Sequence, residues 1–174
     1  MASIKRIVIH CAASKNGRRL AAHNETAAQV INRWHKDRGF QRSSPFVNTF
    51  NNELRHIGYH FVIDTNGVVE TGRAQGETGA HVKGYNTGSI GICMVGTDQF
   101  TAEQWAALAS LVRSLRDKYP DADICGHRDL SPDLNGDGKI TANEWTKICP
   151  GFEVTAWLAL GMSPLESWVY EAAE

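Results

Sequence analysis

Two histidines and a cysteine, His10, His127 and Cys149, are the residues of this 174-residue chain best suited to hold a transition-metal ion. His10 closes the apolar run Ile7-Val8-Ile9, which reads as a buried strand. His127 stands in Cys125-Gly126-His127-Arg128-Asp129, after a short predicted strand, and Cys149 in Lys147-Ile148-Cys149-Pro150. Each sits at a strand end or in the loop beyond one, where side chains can converge at one edge of a sheet. Two imidazoles and one thiolate leave the fourth position of tetrahedral zinc open to water. One thiolate against Zn²⁺ leaves a net charge of about +1, which lowers the pKa of bound water towards ~7 and polarises a carbonyl. Spacing alone does not single the trio out, because the three are far apart and form no compact motif. A lone histidine at a strand end is more often a hydrogen-bonded structural residue, and a lone cysteine more often a buried apolar one.

A second metal pattern lies between His127 and Cys149. Asp133, Asn135 and Asp137 occupy positions 1, 3 and 5 of a twelve-position EF-hand calcium loop. Gly138 is the turn glycine, Lys139 offers its carbonyl at position 7, and Glu144 is the bidentate ligand at position 12. The plainer reading is an Asx-rich surface turn. No helix is expected before Asp133, since Ser131-Pro132 interrupts, so a paired, switching EF-hand is not expected. Bound calcium is expected to stiffen the loop that carries Lys147 and Cys149.

The elements that must position these residues follow from periodicity. Strands are expected at Ile4–Ala12, Tyr59–Asp64, Val68–Thr71, Ile90–Val95 and Ala122–Cys125. Asn66-Gly67 supplies the tight turn of a hairpin. Helices are expected at Thr26–Arg38 and Thr101–Tyr119, each opened by a capping box, Thr26 with Gln29 and Thr101 with Gln104. Two further helices, Val154–Leu160 and Pro164–Ala172, close the chain, the latter with Pro164 at its first position. Gln41–His56 reads as an irregular loop with at most one helical turn, expected to form a wall of the groove before Tyr59 and to tune recognition. The order implies a single α/β domain, residues 1–174, with a central mixed β-sheet flanked by helices and the calcium-type loop inserted at 133–144.

Composition narrows the functional classes. Hydrophobic residues make up 42% and charged residues 21%, as in an ordinary globular protein. A net charge of −1 gives no electrostatic footprint for nucleic acid. No apolar run reaches the roughly 20 residues of a membrane span, and the N-terminal apolar stretch is too short for a secretory signal. The chain is therefore expected to be made in the cytoplasm with its four cysteines reduced, and to act as a monomer without membrane insertion.

Four segments stand out in order: Ile7 to Cys11, Gly58 to Phe61, Gly79 to Asn86 followed by Ser89 to Cys93, and Gly126 to Asp129 with Lys147 to Pro150. Together they resemble the zinc-dependent N-acetylmuramoyl-L-alanine amidase family, type 2, which includes short phage endolysins and the peptidoglycan recognition proteins. The resemblance implies an amidase/peptidoglycan recognition protein-like fold and His10, His127 and Cys149 as zinc ligands. It further implies Tyr59 and Lys147 as groups needed for hydrolysis, and His81 as a histidine of the substrate groove. The implied reaction is hydrolysis of the amide between the lactyl group of N-acetylmuramic acid and L-alanine in peptidoglycan. Such an activity suits antimicrobial lysis after release from the cell, or action on wall fragments in the cytoplasm. The alternative is a protein that binds peptidoglycan without cutting it. His60 is expected to be structural, and His23, His35 and His56 to be surface or packing residues.

Overall fold

A computed structural model describes residues 3–172. Five strands form one mixed sheet: β1 (Arg6–Cys11), β2 (Phe61–Ile63), β3 (Val69–Thr71), β4 (Ser89–Met94) and β5 (Asp123–Gly126). Their order is β3-β2-β4-β1-β5. β4 runs parallel to both β2 and β1, β1 runs parallel to β5, and only β3 is antiparallel. Among the described residues the four α-helices are α1 (Ala27–Asp37), α2 (Ser44–Val47), α3 (Ala102–Lys118) and α4 (Val154–Ala159). The hairpin strand is shorter than expected, but backbone pairing continues through His60 N to Gly91 O (2.9 Å) and Gly72 N to His60 O (2.8 Å).

Alternation along the strands splits the interior into two layers. Ile7 and Ile9 of β1 and Ile90, Ile92 and Met94 of β4 pack with Trp105, Leu108, Val112 and Trp157 of α3 and α4. Val62 and Cys93 face the other way, against Ala27, Ala28 and Ile31 of α1. His10 is in register with Cys93 and so emerges on the α1 side of the sheet.

Both long helices begin where their capping residues place them. Thr26 Oγ1 accepts from Gln29 N (3.2 Å), while Gln29 Oε1 accepts from Thr26 N (2.9 Å). The Thr101–Gln104 pair repeats the device, and buried Gln104 also donates through Nε2 to Val95 O (2.8 Å), tying α3 to the sheet.

The expected helix at Pro164–Ala172 does not form. A single 3₁₀ turn, Glu166–Trp168, gives way to extended chain. Phe100 N donates to Trp168 O (2.9 Å) and Tyr170 N donates to Phe100 O (2.8 Å). Pairing with Phe100, together with burial of Leu165 in the α3-side core, outweighs the weak propensity of so short a helix.

Candidate metal centre and cavity

His10 leaves the C-terminal end of β1, at the edge where parallel sheets commonly carry their sites. His127 opens a 3₁₀ turn directly after β5, whose start is fixed by Gly126 N donating to Asp129 Oδ2 (2.7 Å). Cys149 is brought beside this turn by Arg128 N donating to Cys149 O (2.9 Å). Gly126 permits the approach, since a Cβ there would lie 2.7 Å from Pro150 Cδ.

The three side chains meet. His10 Nδ1 lies 3.1 Å from His127 Nδ1 and 3.7 Å from Cys149 Sγ. All three donor atoms fall within 4.8 Å of one another, the one such group of three among the described residues. Tetrahedral zinc, with Zn–N of about 2.0–2.1 Å and Zn–S of about 2.3 Å, requires N···N near ~3.3 Å and N···S near ~3.6 Å. The two separations from His10 agree within a few tenths of an ångström, and the third lies within 4.8 Å, so the donors are placed to close around one metal ion.

At the two histidines the electrostatics disfavour protonation. Burial, then the neighbouring His81 and His127, holds His10 well below the ordinary histidine range. Burial and the Lys147 charge lower His127 to about 4. Both rings are therefore neutral at pH 7, as ligands must be. A hydrogen bond with Cys11, then burial, pushes the Cys149 thiol up, and the same contact draws Cys11 down to about 7. A metal ion held there would bind Cys149 as the thiolate and so reverse that order. Cys11 N already donates to Cys149 Sγ (3.2 Å).

His127 and Cys149 border a cavity of about 440 Å³ that Tyr59, His81, Arg38 and Lys147 also line, while His10 is buried. Tyr59 is partly buried, its ring 5.2 Å from that of His10. Burial pushes its phenol well above the usual range, so the hydroxyl remains a donor at neutral pH. Lys147 is exposed at the rim. His81 sits behind His10, its Nδ1 2.9 Å from His10 Nε2.

No residue of 41–56 lines this cavity; His35, Arg38 and Phe40, at the end of α1 and just beyond it, form that side instead. The 41–56 stretch borders a separate cavity of about 280 Å³. It is withdrawn by Arg42, whose buried guanidinium donates to Glu77 Oε2 (2.8 Å) and to the carbonyls of Phe50, Asn51 and Leu54 (2.9 Å each). Arg73 joins the same carboxylate at 3.6 Å. This buried hub was not visible in the sequence, where its members are up to 35 residues apart.

Of the calcium-type residues, Asp133 accepts from Gly136 N (2.7 Å) and Gly138 N (2.8 Å). Asn135 Oδ1 accepts from Asp137 N (2.9 Å), and Asp137 Oδ1 from Lys139 N (2.8 Å). Glu144 accepts from the backbone of Thr141, Leu134 and Asn135, which lowers its pKa. The Asp133, Asp137 and Glu144 carboxylates do not gather within 4.8 Å.

Of the remaining histidines, His35 and His60 are buried, His56 is half-buried and His23 is exposed. His60 Nδ1 accepts from Gly91 N (3.0 Å) and Nε2 donates to Glu77 O (2.8 Å), a wholly structural arrangement. His35 is buried, and its Nδ1 accepts from Gly58 N (2.8 Å), the residue before Tyr59. His35 follows Ile31 by one helical turn, the one sequence signal that places it on the buried face.

A family profile described as N-acetylmuramoyl-L-alanine amidase matches residues 1–152. An endolysin of Enterobacteria phage K11 is 33% identical over 161 residues, covering 88% of this chain and 84% of that protein. The endolysin of Escherichia phage T7 is 31% identical over 159 residues, covering 87% and 83%. Among solved structures, the N-acetylmuramoyl-L-alanine amidase LysC from Clostridium intestinale URNW superposes with a TM-score of 0.62 at 25% identity, covering 91% of this chain and 87% of that one. Bumblebee PGRP-SA shares the fold, with a TM-score of 0.59 at 20% identity and coverage of 91% and 82%. No helix of the described residues is long and apolar enough to cross a membrane. With the donor trio assembled beside a cavity that His127 and Cys149 line, and the profile running through all three residues, this chain belongs to the N-acetylmuramoyl-L-alanine amidase family.

Proposed function

We propose that the chain hydrolyses the amide between the lactyl group of N-acetylmuramic acid and L-alanine in peptidoglycan, with zinc held by His10, His127 and Cys149. The observation that carries this reading is the convergence of those three donors within 4.8 Å of one another, beside a cavity that His127 and Cys149 line. Zinc bound there supplies Lewis acidity towards the carbonyl and activates water.

The chain's own residues do the rest. His10 and His127, neutral by burial, present lone pairs, and the Cys11 N–H favours the thiolate of Cys149. Tyr59, kept protonated, donates a hydrogen bond to the oxygen that becomes negative as the carbonyl is attacked. Lys147 adds a second donor and a positive charge from the rim. Arg38, Lys83 and Lys147 are the charged residues of the lining, and no carboxylate joins them. That imbalance suits a stem peptide bearing free carboxylates. A binding-only role has no need of the complete donor set.

Calcium in the 133–144 loop is the second metal we propose. Oxygen donors at positions 1, 3, 5, 7 and 12 support it, and its role is to order the segment leading to Lys147 and Cys149. The main test is digestion of purified peptidoglycan with and without a zinc chelator. New L-alanine amino groups with unchanged reducing sugar are expected. New reducing ends, or cleavage unaffected by the chelator, overturn the assignment.

A further inference from the structure

We propose that His81 is a positioning residue for the metal site: it accepts a hydrogen bond from His10 Nε2 and so holds His10 in the tautomer whose Nδ1 carries the lone pair. The inference rests on the reading of His10, His127 and Cys149 as zinc ligands, and gives His81 a role other than contact with substrate.

A neutral imidazole has one N–H and one lone pair, and a metal takes the lone pair. The His10 nitrogen facing the other two donors is Nδ1. The proton must therefore sit on Nε2. His10 Nε2 has one hydrogen-bond partner among the described residues, His81 Nδ1 at 2.9 Å. The two rings meet edge-on, with centroids 4.9 Å apart at 89°. In the opposite tautomer, His81 would donate and His10 Nδ1 would carry the proton, which blocks ligation.

The surroundings build a slot for the His81 ring. It lies over Gly91 of β4, where a Cβ would come within 2.6 Å of Cγ and 2.8 Å of Nδ1. It also lies against Gly79, where a Cβ would come within 2.4 Å of Cδ2. Asn86 Oδ1 fixes the backbone by accepting from His81 N (2.8 Å) and Val82 N (2.9 Å). His60, packed edge-on at 5.7 Å, is fully engaged with backbone groups and does not compete for His10.

A residue that reads substrate must offer it a polar atom. His81 borders the cavity, yet Nδ1 is engaged by His10, and Nε2 is buried without a hydrogen-bond partner. Outer partners of ligating histidines commonly fix ring orientation, and losing one weakens metal affinity by about 10–100-fold.

The experiment compares the full-length wild type with His81→Ala and His81→Gln, whose side-chain oxygen can replace the acceptor. Zinc dissociation constants are measured by competition with a chromophoric chelator. Histidine tautomers of the metal-free proteins are read by ¹⁵N nuclear magnetic resonance. The expected result is a loss of zinc affinity of about 10–100-fold in His81→Ala, with substantial recovery in His81→Gln. His10 should be protonated on Nε2 in wild type, and its tautomers mixed in His81→Ala. Zinc affinity within twofold of wild type in both variants, with a raised KM for muropeptides, overturns the proposal in favour of substrate contact. If His81→Ala does not fold, His81→Gln and the wild-type tautomer decide the matter, and a wild-type His10 protonated on Nδ1 overturns it. A wild-type chain that binds no zinc sinks the underlying zinc reading, and this proposal with it.

Discussion

Replacing Glu77 with glutamine removes one negative charge from a buried site and leaves two guanidinium groups behind. Its side chain is 2% exposed and that of Arg42 is 0% exposed. Arg42 donates to Glu77 through both Nε (3.0 Å to Oε1) and Nη2 (2.8 Å to Oε2), and Arg73 Nη1 stands 3.6 Å away. Both arginines are also bound to carbonyls of Gln41, Asn51, Leu54, Ile57 and Thr78, so neither can swing out to water without breaking the loops it ties. Breaking a buried pair by removing one partner costs about 3–5 kcal/mol. For a chain of this length each kcal/mol lowers Tm by about 2–4 °C, so Glu77→Gln is expected to lose roughly 6–20 °C. Thermal and urea unfolding measure this directly, and a cycle with Arg42→Gln apportions the pair. A loss below about 1 kcal/mol, the range of an exposed pair, would refute the claim that this hub holds the loops flanking Tyr59.

Further outcomes follow from the same geometry. Tyr59→Phe is expected to lower kcat about 10²–10³-fold with zinc affinity unchanged, since it deletes an oxyanion donor and no ligand; steady-state kinetics beside a zinc titration check both halves. Calcium at about 100 times its dissociation constant is expected to stabilise the wild type by about 2.7 kcal/mol, and Glu144→Gln to abolish the gain; calorimetry showing no calcium effect on the wild type would remove that ion from the account. Acid is expected to destabilise the fold. Burial holds His35 and His60 at about 4, against 6.5 in the unfolded chain. The unfolded state therefore binds protons first, and the stability present above pH 6.5 is lost as pH falls towards 4. Urea midpoints measured across that window should decline with acidity; a flat profile contradicts the buried, neutral rings.

The parts of the fold legible in the sequence are those with a local cause. Ile7 to Ile9 and Ile90 to Met94 read as strands because β1 and β4 are covered on both faces and so show unbroken apolar runs. The starts of α1 and α3 are legible because a capping box needs only residues three apart. The C-terminal helix failed for the opposite reason: Pro164 gives a sound local start, while the decisive partner, Phe100, is distant in sequence. The donor trio was legible through resemblance and not through spacing, since it depends on β1 and β5 being neighbours. The pairing of His81 with His10 depends likewise on β4 lying beside β1. The Arg42–Glu77–Arg73 hub leaves no periodic trace at all, and with it the withdrawal of residues 41–56 from the main cavity went unforeseen.

Zinc titrated into chelator-stripped protein, with release of L-alanine-terminated peptide from muropeptides followed at each addition, bears most directly on the central claim. Activity should be absent at the start, rise in proportion to added metal, and level off at one equivalent, while Cys149→Ala stays inactive throughout. Full activity in the stripped protein, or a Cys149→Ala variant that matches wild type, would contradict it.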